Sequence, residues 1–135
     1  ENIKKVINVS ANNPIQVVAT MSNIDEKEFF SNTIPKVVTR LDNRLLYASR
    51  AGIPTTKSLE FIYSKKQIGI YAFPKQSLID FVSVDNKTPL EALEDIEILR
   101  FLELGYEVQM VELDDNSFAI DIPADVKKVE AILNV

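Results

Sequence analysis

The sequence contains no histidine, no cysteine and no tryptophan, and only three of its 135 residues are glycine. Without cysteine there is no disulfide framework and no thiolate for catalysis or metal binding, and the lean is towards a cytoplasmic setting. Without histidine the usual general base and the usual zinc ligand are gone, along with every Ser-His or Cys-His nucleophile arrangement. Chemistry must then run on carboxylates, Arg, Lys, Tyr or a hard metal. Gly52, Gly69 and Gly105 are scattered. None belongs to a Gly-rich loop, so these residues hold no recognisable backbone cradle for a triphosphate.

No apolar run approaches the roughly 20 residues that cross a bilayer, and the opening ENIKKVINV lacks the basic-apolar-small order of a signal peptide, so a soluble protein is expected. Lys+Arg 15 against Asp+Glu 20 gives a net charge of −5, and no dense basic run occurs. That excludes the electrostatic footprint of a nucleic-acid binder and makes an anionic membrane a poor partner. With 46% hydrophobic residues, the chain is long enough for one domain, residues 1–135, with a real core.

Short β-rich runs recur at Lys5–Ser10, Gln16–Met21, Lys36–Leu41, Arg44–Ser49, Gln67–Ala72 and Glu107–Leu113. Asp42-Asn43 tolerates positive φ and suits a two-residue turn, which predicts an antiparallel hairpin over Lys36–Ser49. Asp114–Ser117 suggests a second hairpin onto Phe118–Ile120. The clearest helix runs from Thr88 to Gly105. Thr88 is the N-cap, Pro89 the first helical residue, Glu91 completes a capping box and Gly105 is the left-handed stop. Leu90, Leu93, Ile96 and Leu99 give it one apolar face. Shorter helices are predicted at Asp25–Phe30 and Pro74–Val82, and Pro123 opens a last one carrying Val126, Val129, Ile132 and Leu133. Thr55–Lys66 is the most loop-like connection. Strands alternating with helices predict an α/β fold with hairpins added at an edge. Phe29, Phe30, Phe101 and Leu102 are assigned to the core.

Five ordered segments are more specific. Asn32–Val38 (NTIPKVV), Leu46–Pro54 (LYASRAGIP), Gly69–Phe73 (GIYAF), Thr88–Arg100 (TPLEALEDIEILR) and Ile120–Pro123 (IDIP) resemble, in order and spacing, motifs of the CMP-Kdo synthetases. These are the 3-deoxy-manno-octulosonate cytidylyltransferases. The resemblance covers nearly the whole chain but only the C-terminal half of that family's domain. It implies part of a nucleotide-diphospho-sugar-transferase-like, Rossmann-like mixed sheet with flanking helices. It also implies CTP and a 2-keto sugar acid as substrates, Mg²⁺ as cofactor and a homodimer. Asn8–Pro14 is similar to the segment that precedes a helix in the family, yet Val17–Thr20 follows almost at once, so that helix is expected to be missing.

The resemblance also implies roles for single residues. Arg50 matches an arginine that contacts the sugar acid's carboxylate, a task suited to a planar fork; alone, it reads as a surface arginine paired with an acid. Tyr71 matches a tyrosine facing the sugar, or is a core tyrosine. Glu97 matches a glutamate that binds sugar hydroxyls, or is the i+3 partner of Arg100. Gln67 stands where the family has a histidine, and Ile98 where it has a glutamine. Asp121 matches a Mg²⁺ ligand, or is an acid favourably placed near a helix N-terminus. Asn12 falls at a second Mg²⁺-binding aspartate and is neutral. Two readings result: the sugar-acid-binding half of a cytidylyltransferase, or a non-catalytic sugar-acid-binding or self-association module on the same fold.

Overall fold

The computed structural model describes residues 1–14, 16–114, 126, 127 and 129–131. Five strands, Val17–Asn23 (β1), Lys36–Thr39 (β2), Leu45–Ser49 (β3), Lys65–Ala72 (β4) and Val108–Glu112 (β5), form one mixed sheet in the order β3-β2-β4-β1-β5. β1 runs antiparallel to β4 and parallel to β5, and all its residues but Asn23 are buried. Its unbroken apolar start, Val17-Val18-Ala19, suits a strand covered on both faces. The expected α/β architecture with an antiparallel hairpin at one edge is what the chain adopts. The turn differs slightly. Asn43 takes φ 62 as expected, but Asn43 N–H donates to Arg40 O and Arg40 N–H to Arg44 O, so the loop has three residues and Leu41 at its tip is fully exposed.

That turn also joins the outer strands. Met110 N–H donates to Asn43 O at 2.8 Å, Arg44 bridges Gln109, and the Gln109 amide donates to Asp42 O. Arg40 and Arg44 both pair with Glu107. The two ends of the sheet therefore meet at the hairpin tip.

The helices Asn2–Asn12 (α1), Glu26–Phe29 (α2), Lys75–Val82 (α3), Pro89–Glu94 (α4) and Ile98–Glu103 (α5) flank the sheet. α1 overturns the strand expected at Lys5–Ser10. Ile3, Val6, Ile7 and Ser10 recur at helical spacing, and Val6 is buried where α1 lies on β1 and β4. The helix expected to be missing ahead of β1 is therefore present, made by the residues compared with the segment before it. α2 and α3 fall where the sequence places them, and Asp25 caps α2 in a capping box with Glu28. β4 starts at Lys65, two residues inside the predicted loop.

The long helix predicted from Thr88 to Gly105 is two helices. Its start is as expected, with Pro89 following Thr88 and the Thr88 N–H donating to Glu91 Oε2 at 3.1 Å. It stops at Asp95, which sits at φ 53 in the left-handed region, and restarts at Ile98. The break splits the predicted apolar face. Ile96 and Leu99 are buried, whereas Leu93 is 81% exposed. Gly105, at φ 86, ends α5 as the sequence indicates. Phe29 and Phe101 are core residues as assigned, but Phe30 is exposed, edge-on to Phe29. The Phe118–Ile120 hairpin lies outside the described residues. Of the last helix, Val126 and Val129 are helical, and Ile132 and Leu133 lie outside them.

Candidate functional site

Two connected clusters occupy the side of the sheet where β3 and β4 face α3, α4 and α5. The first is built around Glu94, the last residue of α4. Its carboxylate accepts from Ser49 Oγ at 2.7 Å, Tyr47 Oη at 3.1 Å and the Arg50 backbone N–H at 2.9 Å. Burial pushes the Glu94 carboxyl's pKa up, and these three donors with the Arg50 charge bring it below the ordinary value.

Arg50 answers from the other direction. Its Nε donates to Glu94 O at 2.6 Å and an Nη2 to Asp95 O at 2.9 Å, while Nη1 reaches Asn32 O and Thr33 O at 3.2 and 3.4 Å. A cation set on the carbonyls at the end of α4 opposes the negative end of the helix dipole. It also gives those two carbonyls a partner that is not the next helical turn. The Asp95 carboxylate lies 3.9 Å away, and the side chain remains 34% exposed. Beneath it, Lys36 is fully buried and donates to Ser31 O, Ile34 O and Arg50 O at 2.5–2.6 Å. Burial pulls the Lys36 pKa down, the Arg50 charge pulls it further, and Glu94 partly offsets both.

The second cluster lines a cavity of about 160 Å³ between the end of β4, α3 and α5. Phe73, Leu78, Phe81, Ile98 and Phe101 supply hydrocarbon walls, and Tyr71 and Glu97 supply polar atoms. Tyr71, Phe73, Phe101 and Phe81 form a continuous stack with ring centroids 5.0–5.5 Å apart, ended by the Arg100 guanidinium over Phe81. Gln67, four residues earlier on β4, donates its Nε2 to the Tyr71 hydroxyl oxygen. The phenol proton is left to donate elsewhere. Burial raises the Tyr71 pKa, the Gln67 bond lowers it and the Glu97 charge raises it, for a net rise that keeps the hydroxyl protonated at neutral pH. Gln67 Oε1 is buried and has no partner among the described residues.

The profile of the cytidylyltransferase family matches residues 1–112. The chain belongs to this family. It is 38% identical over 114 residues to the 3-deoxy-manno-octulosonate cytidylyltransferase 2 of Hydrogenovibrio crunogenus, covering 82% of this chain and 44% of that one. It is 35% identical over 136 residues to the 3-deoxy-manno-octulosonate cytidylyltransferase of Flavobacterium johnsoniae, covering 97% and 55%. Among solved structures, a CMP:2-keto-3-deoxy-manno-octonic acid synthetase complexed with CTP superposes with TM-score 0.90 at 25% identity, covering 98% of this chain and 55% of that one. This cytidylyltransferase chain thus spans about half the length of the curated relatives it matches.

Tyr71 and Glu97, singled out from the sequence, are brought together at the cavity, and Gln67 lies beside it, bonded to Tyr71. Arg50 sits in the adjoining Glu94 cluster. Arg100 does not pair with Glu97; it pairs with Glu91. Asn12 is exposed in the last turn of α1, without the strand-and-loop setting on which its comparison with a metal ligand rested. Asp121 lies outside the described residues. Among the described residues no three His, Cys, Asp or Glu side chains are grouped so as to hold a metal ion. Lys36 and Glu94 were missed as site residues. Their partners lie up to 47 residues away, beyond any local spacing rule.

Proposed function

We propose that this chain is the sugar-acid-binding half of a cytidylyltransferase that moves CMP from CTP to the anomeric hydroxyl of a 2-keto sugar acid. In that transfer the anomeric oxygen forms a bond to the α-phosphorus, the bond from that phosphorus to the β-phosphate bridge breaks, and pyrophosphate leaves with the charge. The hydroxyl's proton passes to water. Positioning and charge neutralisation carry such a step without an enzyme nucleophile, in keeping with a chain that has neither His nor Cys.

The observation that carries this reading is the convergence of Tyr71 and Glu97 on one cavity walled by aromatic rings, with Gln67 fixing the Tyr71 hydroxyl from behind. Tyr71 offers a donor and Glu97 an acceptor, a pair matched to sugar hydroxyls. Arg50, with its exposed edge next door, is the cation for the carboxylate end. Triphosphate binding falls to residues beyond this chain, because none of its glycines makes a phosphate loop. A homodimer and a cytoplasmic location complete the proposal. No helix of the described residues is long and apolar enough to cross a membrane.

Pyrophosphate release tests the proposal. The 135-residue chain with CTP and 3-deoxy-manno-octulosonate is expected to be silent, and to turn over once mixed with the N-terminal half of a related cytidylyltransferase. Release by the chain alone overturns the division of labour. Calorimetric binding of the sugar acid without turnover in any mixture favours the non-catalytic binding module instead.

A further inference from the structure

The cavity at the end of β4 has a polar side and a dry side. Tyr71 and Glu97 line it from one direction, with Gln67 behind the Tyr71 hydroxyl. From the other come Ile98, 2% exposed, and Phe101, 2% exposed, continued by Phe73. Nothing on that second wall donates or accepts a hydrogen bond. The neighbouring polar groups are already committed: Arg100 is bound to Glu91, Phe81 O and Val84 O, and Glu103 accepts the backbone N–H groups of Leu90 and Glu91. A ligand hydroxyl pressed against this wall leaves water and finds no partner, whereas a C–H or methyl group packs against ring and branched carbons.

We propose that the sugar acid taken by this chain carries hydrogen or an alkyl group where it meets Ile98 and Phe101. It is a 2-keto sugar acid with one side-chain hydroxyl fewer than 3-deoxy-manno-octulosonate, the sugar acid named for the relatives. The inference rests on the sugar-acid reading of the site and narrows it to a substrate class. Its polar groups cluster towards Tyr71 and Glu97, and its bare carbon lies on the dry wall. Ile98 is the specificity-determining residue, because it lies in the wall itself and its side chain alone decides whether a hydroxyl there has a partner.

The test is calorimetric titration of the 135-residue chain with 3-deoxy-manno-octulosonate and a set of analogues in which each side-chain hydroxyl in turn is replaced by hydrogen. One analogue is expected to bind roughly ten- to a hundredfold more tightly than the parent, the discrimination a buried unpaired hydroxyl produces. In Ile98→Gln, which restores a hydrogen-bonding side chain, that preference is expected to fall to parity or reverse. The comparison in the unsubstituted chain decides the matter even if the variant does not fold. Parent binding as tight as or tighter than every analogue overturns this inference and leaves the sugar-acid site intact. Binding of none of the set overturns both.

Discussion

Arg100 and Glu91 lie nine residues apart and meet inside the protein as a two-pronged ion pair, Nε to Oε2 at 2.6 Å and an Nη2 to Oε1 at 2.9 Å. Glu91 is 1% exposed, and the guanidinium's remaining nitrogen donates to Phe81 O at 3.0 Å while its face lies on the Phe81 ring. One pair thereby ties α4 and α5 to the end of α3, the three helices that frame the cavity.

Removing one member leaves a charge stranded in the interior. Glu91→Gln and Arg100→Met are each expected to lower the unfolding free energy by about 3–5 kcal/mol, read by urea denaturation. Glu91→Leu combined with Arg100→Met is expected to recover much of that loss, because neither charge is then left unpaired. Additive losses in the double variant contradict this account.

Acid should act through the same carboxylates. Burial raises the Glu91 pKa, but the Arg100 hydrogen bonds, the Thr88 N–H and nearby positive charge more than offset it, so it lies below the ordinary carboxyl value in the folded state. Glu94 is lowered likewise. A carboxylate depressed on folding contributes stability that is complete above its unfolded pKa and is lost as pH falls through the folded value. Denaturation midpoints are expected to be flat from about pH 7 to 5 and to drop steeply below about pH 4, with a shallower drop in Glu91→Gln. An unchanged slope in that variant contradicts the assignment.

Gly52 faces the Phe29 ring so closely that an added Cβ lies 2.6 Å from two ring carbons. Gly52→Ala is expected to cost about 1–3 kcal/mol through displacement of this buried ring. Combining it with Phe29→Leu should give less than the summed losses. Thermal unfolding of the four proteins measures the coupling.

Lys36→Met removes the buried ammonium that donates to three carbonyls, those of Ser31, Ile34 and Arg50. The expected cost is about 1–3 kcal/mol, with faster amide exchange across residues 31–36 and 49–51. Protection equal to that of the unsubstituted chain at those amides would show that Lys36 does not fasten them.

Much of this arrangement is legible in the residues themselves. The five strands, the Thr88-Pro89-Glu91 helix start and the Gly105 stop are local signals that tertiary structure respects. The ordered motifs point to the cytidylyltransferase family before any coordinates do. α1 is obscured because Val6, Ile7 and Val9 are β-branched, although the spacing of Ile3, Val6 and Ile7 is helical. The stop at Asp95 has no glycine or proline to announce it. Arg50, 45 residues earlier, takes the carbonyl of Asp95 and that of its neighbour Glu94. Glu97 and Arg100 are one turn apart on paper. Across the break, Arg100 turns to the buried Glu91, which sets the two helices against each other.

The meeting of the hairpin tip with β5 has a kinetic consequence. Asp42 and Gln109 are 67 residues apart along the chain, so their contact closes a long loop. The β2–β3 hairpin needs only a three-residue loop and can form early. The parallel pairing of β1 with β5 spans most of the chain, and the Asn43–Met110 hydrogen bond fastens only once both exist. Loop-closure entropy therefore places this contact late in folding, at the exposed tip that carries Leu41.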